Sequence, residues 1–209
     1  MYKMIIFDFD GTIANTYTLL NKVYFELTKM YDFPSLTQQE IEDLRNLSSR
    51  EILKAFNVPL WRLPRILKDA LPIYRKFLPE SPIYPDIKAL LLALHKENFK
   101  LFILSSNNDL MIKQFLVEHD LDIFETIVGN VGLFKKHRAL KKLIRKSKIN
   151  KSDILYVGDE VRDIDACKKV GIDIAAVTWG YDHAEILTSK NPKFIIYDAD
   201  ILHRILLKK

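Results

Sequence analysis

The sequence predicts an α/β fold: a parallel sheet covered by helices on both faces, with an all-helical segment inserted early in the chain. Three observations predict it. Short apolar runs recur, each fit for a buried parallel strand. Amphipathic stretches at helical spacing separate the later runs, so strand and helix alternate. The gap from Ile13 to about Pro82 holds no convincing strand.

The first strand is expected over Met4–Phe9, where Met4-Ile5-Ile6 leads into Asp8 and Asp10 and then a tight turn at Gly11. Helices are expected next over Thr16–Tyr31, Thr37–Leu44, Ser48–Phe56 and Leu60–Phe77. Thr37-Gln38-Gln39-Glu40 is a capping box, a helix start. Pro59, Pro64 and Pro72 are expected to break or begin turns within the last of these stretches. Residues 79–85, rich in proline, read as a stiff return to the core. Strands follow at Leu101–Ser105, Thr126–Val128, Ile154–Val157, Ile174–Thr178 and Phe194–Tyr197. Helices are expected around them at Ile87–Glu97, Leu110–His119, His137–Arg145, Ile164–Val170 and Ala199–Leu206. The chain thus divides into a core of residues 1–13 and 83–209 and a helical module of residues 14–82.

At 209 residues and 48% hydrophobic, the chain can bury a sizeable core and is not a disordered protein. No apolar run approaches the roughly 18 residues of a membrane helix. The N-terminal run is too short for a signal peptide, and acids follow at once. Cys167 is the single cysteine, so no internal disulfide forms. These features lead to the expectation of a cytoplasmic protein. The net charge is +5, yet residues 135–151 hold nine Lys or Arg and no acid, so the remainder carries −4. Ala139, Leu140, Leu143 and Ile144 recur at helical spacing inside that block. It therefore reads as an amphipathic helix with a solvated basic face, and no aromatic residue interleaves it as a nucleic-acid platform would want.

The candidate chemistry sits at strand ends, where α/β sheets bind ligands. Asp8 and Asp10 are two apart and would share a face in extended backbone. Ser105 and Ser106 follow the second strand, beside the N–H groups of a coming helix, a place for phosphate or simply a helix cap. Gly158-Asp159-Glu160-Val161-Arg162-Asp163 brings acids to the end of the fourth strand. Lys135 and Lys136 place cations near the same edge, and the sequence leaves open which of them faces phosphate.

In order and spacing these segments resemble the haloacid dehalogenase (HAD) superfamily: DFDGT at Asp8–Thr12, a strand ending in Ser105, Lys136, and GDxxxD at Gly158–Asp163. The whole chain is similar to its phosphoglycolate-phosphatase-like branch, and the helical insert looks like that superfamily's type C1 cap. The resemblance implies a Rossmann-like core and a Mg²⁺-dependent phosphatase acting on a small phosphate monoester, phosphoglycolate being one candidate. It implies Asp8 as nucleophile, Asp10 as general acid and base, and Ser105 and Lys136 on phosphate oxygens, with Ser106 and Thr12 beside them. Thr12 is also expected to brace the Asp loop. It implies Mg²⁺ held by Asp8, the Asp10 carbonyl and Asp159, with Asp163 in support. The presence of Asp10 favours phosphoryl chemistry over carbon–halogen hydrolysis.

Phosphoryl transfer is mainly positioning and neutralising charge, and a hard cation on carboxylates does part of this. A carboxylate nucleophile splits one hard displacement into two easier ones. Alternatives within reach are a sugar-phosphate mutase with the same core, or a non-catalytic binder of nucleic acid or an acidic partner through the basic helix. Arg45, Ser49 and Arg50 could touch the non-reacting part of a substrate, or form an exposed helix face. Glu160 and Arg162 read as a local ion pair. A small phosphorylated metabolite is the expected partner, with no membrane, no nucleic acid, and a monomeric or dimeric state.

Overall fold

All six apolar runs form strands in the computed structural model, which describes residues 2–207: β1 Met4–Phe7, β2 Lys100–Leu104, β3 Thr126–Val128, β4 Ile154–Gly158, β5 Asp173–Val177 and β6 Phe194–Ile196. They make one parallel sheet in the order β3-β2-β1-β4-β5-β6. Burial on both faces explains why each strand reads as a continuous apolar run. Ile5, Phe7, Leu101, Ile103, Leu155 and Val157 point into one core. Met4, Ile6, Phe102, Leu104, Ile154 and Tyr156 point into the other. The period of two is what separates them.

The helices are α1 Tyr17–Thr28, α2 Gln38–Asp43, α3 Ser49–Ala55, α4 Leu63–Phe77, α5 Ile87–Lys96, α6 Asp109–Glu118, α7 Lys136–Ser147, α8 Val161–Val170, α9 Ala184–Ser189 and α10 Ala199–Leu207. Helices α5, α6 and α10 cover the first core, and α7, α8 and α9 the second. The basic block is amphipathic as expected: Leu140, Leu143 and Ile144 of α7 are buried. No described helix is long and apolar enough to cross a membrane.

Two expectations need correction. The sequence offered no helix at residues 184–189, yet α9 forms there; six residues are too few to display a period. Pro72 does not break α4, which runs through it. Ile66, Ala70, Ile73, Tyr74 and Phe77 form one stripe packed on the first core, on both sides of Pro72. That burial outweighs the lost backbone hydrogen bond.

The segment between β1 and β2 leaves and returns through neighbouring chain. Ala14 forms an antiparallel bridge with Ile83. Asn15 N donates to Pro82 O at 2.8 Å, and Tyr84 N to Ile13 O at 3.0 Å. The strand order reverses between β1 and β4, so a crevice opens beyond their carboxyl ends, the usual ligand position in such sheets.

Candidate active site

The loop after β1 supplies Asp8, which is 1% exposed. Its backbone N–H still continues the sheet, donating to Val157 O at 2.8 Å. The chain then turns at Gly11, whose φ of +73° is the left-handed region glycine adopts freely. Asp8 Oδ1 accepts its neighbour's Phe9 N–H at 2.8 Å, leaving Oδ2 to meet Lys136.

Lys136 opens α7 and is buried, whereas Lys135 is exposed, so Lys136 is the lysine that reaches the acids. Its Nζ bonds Asp8 Oδ2, donates to Asp163 Oδ1 at 2.6 Å, and lies 3.3 Å from the Tyr156 hydroxyl. Burial works against its charge, but the Asp163 and Asp8 carboxylates outweigh that and hold it above the ordinary lysine value.

The turn after β4 brings Asp159 and Glu160, and the first turn of α8 brings Asp163, all buried. Asp159 Oδ1 accepts the Thr12 hydroxyl at 2.8 Å and Oδ2 accepts Tyr181 N–H at 2.8 Å. Two glycines make room for this carboxylate. A Cβ at Gly11 would fall 2.1 Å, and one at Gly180 2.2 Å, from Asp159 Oδ2. Burial, then the charges of Glu160 and Asp8, push Asp159 well above its usual range. Burial pushes Asp163 up to about 6 despite the pull of Lys136.

Glu160 is the residue whose part the sequence did not give. It pairs with Arg162 as expected, Nε to Oε2 at 2.7 Å, and accepts the Ser49 hydroxyl at 2.9 Å. One oxygen each of Asp8, Glu160 and Asp163 lie within 4.8 Å of one another. This trio shares Asp8 and Asp163 with the expected ligand set. The carboxyl of Asp159 accepts from Thr12 and Tyr181. Asp10 entered that set through its backbone carbonyl, and its carboxyl goes to Tyr74, Thr16 and Asn107. Around Lys136 and Arg162, the buried carboxylates of Asp8, Asp159, Glu160 and Asp163 outnumber the cations.

Asp10 occupies a different setting. Its Oδ1 accepts the Tyr74 hydroxyl of α4 and Thr16 Oγ1 at 3.1 Å, and its Oδ2 accepts Asn107 Nδ2 at 3.1 Å. Burial pushes its carboxyl up to about 6, against the pull of the Tyr74 hydroxyl and with the Asp8 charge adding to the rise.

The remaining expected residues fall as follows. Ser105 is buried, and its Oγ accepts Asn107 N–H at 3.1 Å. Ser106 is half-buried beside it. The Thr12 hydroxyl goes to Asp159. Arg45 is committed to the loop after β5, donating to Gly180 O at 2.9 Å and Tyr181 O at 3.1 Å. Arg50 lies over the Phe134 ring at 4.8 Å. Asp182, unmarked in the sequence, accepts Val161 N–H at 2.7 Å and so holds the start of α8. Nothing in the sequence marks Tyr74 or Asn107 as a partner of Asp10.

Carboxylates, a lysine and polar loops gather at the reversal of a parallel sheet. A model of the haloacid dehalogenase-like hydrolase family matches residues 5–177. The chain belongs to that family. It is 29% identical over 205 residues to a phosphoglycolate phosphatase of Synechococcus elongatus, covering 97% of each chain. It is 28% identical over 218 residues to a phosphoglycolate phosphatase of Vibrio vulnificus, covering 98% of this chain and 94% of that one. Among solved structures, a predicted phosphatase from Clostridium acetobutylicum superposes with a TM-score of 0.81 over all of both chains at 23% identity. A haloacid dehalogenase-like hydrolase from Streptococcus pneumoniae gives 0.77 over 98% of each at 20% identity. These two likenesses concern the fold.

Proposed function

We propose that the chain is a Mg²⁺-dependent phosphatase that hydrolyses a small phosphate monoester through an aspartyl phosphate on Asp8, with phosphoglycolate as the leading candidate. The observation that carries this is the contrast within one loop: Asp8 is ion-paired with Lys136, while Asp10 is held by neutral donors.

Asp8 attacks phosphorus, Lys136 and Ser105 hold phosphate oxygens, and Asp10 protonates the departing oxygen. Asp10 then takes a proton from the water that hydrolyses the acyl phosphate. A carboxyl that ionises near pH 6 can serve in both directions. The excess of buried carboxylates fits a divalent cation, and an all-oxygen donor set suits Mg²⁺. Asp8, Glu160 and Asp163 would hold it, with Asp159 behind them. Bound there, it would offset charge on the phosphate oxygens.

Residues 14–82 form a cap on the paired stem of residues 13–15 and 82–84. Asp8, Ser105, Lys136 and Asp163 are all out of solvent and Asp10 is half-buried, which supports a cap that shields the reaction from water. Substrate enters when the cap lifts. The nearness of phosphoglycolate phosphatases along nearly the full chain supports the substrate, and the absence of a described membrane helix fits a cytoplasmic enzyme.

The test is a panel of phosphate monoesters, phosphoglycolate included, with Mg²⁺ and with chelator. Mg²⁺-dependent phosphate release that vanishes in Asp8→Asn is expected. Undiminished release by Asp8→Asn would overturn the reading.

A further inference from the structure

We propose that Tyr74, with Asn107, is the positioning residue that decides which oxygen of Asp10 carries the proton of the reaction. The inference rests on the roles of Asp8 and Asp10 given above.

Oδ1 of Asp10 accepts both the Tyr74 hydroxyl and Thr16 Oγ1. A carboxyl oxygen offers two lone pairs, so Oδ1 is filled. Oδ2 accepts only Asn107 Nδ2 among the described residues, and that amide passes Oδ1 at 3.5 Å. One lone pair of Oδ2 therefore stays free, and this is where the proton comes and goes. The surrounding bonds agree in direction. Asn107 Nδ2 donates to the Tyr74 oxygen at 2.8 Å, which turns the phenol's own hydrogen toward Asp10. Thr16 has one hydroxyl hydrogen; with that given to Asp10, the Tyr181 hydroxyl is the donor in their mutual bond.

The chemistry balances on that oxygen. A carboxylate oxygen of Asp8 bonds to phosphorus. The ester P–O bond breaks, its electron pair leaves on the ester oxygen, and that oxygen takes the proton from Asp10 Oδ2. Water then bonds to phosphorus and returns a proton to Oδ2. The Asp8–phosphorus bond breaks with its electron pair on Asp8, and inorganic phosphate departs. Tyr74 comes from α4 of the insert, whereas Asp10 and Asn107 belong to sheet loops. The bond to Oδ1 thus forms only with the insert seated, which sets Asp10 for proton transfer while α4 is in place.

The experiment compares two leaving groups in Tyr74→Phe, with Mg²⁺ and in single turnover. An alkoxide needs the proton from Asp10, but p-nitrophenolate leaves without it. With the alkyl monoester turned over fastest in the panel, alcohol release should fall about 10–100-fold, the scale of a misplaced catalytic group. Release of p-nitrophenolate should change less than about twofold. A merely structural Tyr74 would slow both alike. Equal losses, or no loss with either ester, would overturn the proposal. Should Tyr74→Phe lack a cooperative melt, Asn107→Leu removes the other half of the pair and carries the same comparison. Asp8→Asn run in parallel separates the two ideas: if it stays active the assignment of Asp8 falls, and if it is dead while no split appears only Tyr74 loses its role.

Discussion

Asp8 faces charge, whereas Asp10, two residues on, faces hydroxyls and an amide. Both leave the end of β1 in one loop, where Asp8 is buried and Asp10 half-buried. The pocket around Asp8 is ionic: Lys136 and Arg162 sit among buried acids. The pocket around Asp10 is polar and neutral, and Tyr74, Thr16 and Asn107 surround its carboxyl. The difference teaches how surroundings could give identical side chains the separate work proposed for them. A charged frame suits a group that attacks as an anion. A neutral, desolvated frame lifts the other carboxyl to about 6, where it can give and take a proton.

Exchanging one side chain at a time would break this contrast. Asp8→Asn should cut phosphate release by about 10⁴-fold or more with every ester, because it removes the group proposed to bond phosphorus. Steady-state assays against p-nitrophenyl and alkyl phosphates check it, and a mutant within tenfold of wild type would dissolve the distinction. Asp10→Asn should lose about 10²–10⁴-fold with alkyl esters. Pre-steady-state traces should show p-nitrophenolate release far less affected; a uniform loss would argue that Asp10 carries no proton.

The ionic pocket has its own test in Lys136→Met. Removing the ammonium leaves the Asp8 and Asp163 carboxylates facing each other, both out of solvent. Loss of one partner from a buried ion pair costs about 3–5 kcal/mol, so the urea midpoint should drop sharply along with activity. An unchanged midpoint would mean that the lysine does not stabilise the pocket.

A pH-dependent effect on stability tests the comparison from outside. Burial pushes Asp182 up to about 8, so in the folded chain it holds its proton far above its ordinary value of 3.8. Its contribution to stability is present below pH 4 and is lost as pH rises through about 8. Asp182→Asn should therefore stabilise more at pH 8.5 than at pH 5, measured as the difference in urea midpoint from wild type. A difference independent of pH would refute that role.

The sheet was readable because every strand is buried on both faces and shows as an unbroken apolar run. The acids of the charged half were readable too, since Asp8, Asp159 and Asp163 stand at strand ends or helix starts at telling spacing, whereas only burial separates Lys136 from Lys135. The neutral half was not. Tyr74 looks like one more member of the apolar stripe on α4, and its partner Asp10 lies 64 residues away in the chain. Asn107 sits next to Asn108, which caps α6 with its side chain, so the pair reads as a plain helix start. Glu160 joins Asp8 only because β4 lies beside β1, while its bond to Arg162 is visible locally. Pro72 misled for the opposite reason: a local rule gave way to packing along the whole helix.

The carboxylate of Asp159 is walled by two residues that have no side chain, and these lie at opposite ends of the chain. Even a single methyl group on either wall would strike it. A saturation library selected for turnover should therefore return glycine at positions 11 and 180 alike, although nothing within either local stretch requires the other. Sequence freedom at the two ends of this polypeptide is thus tied together by one small volume of space.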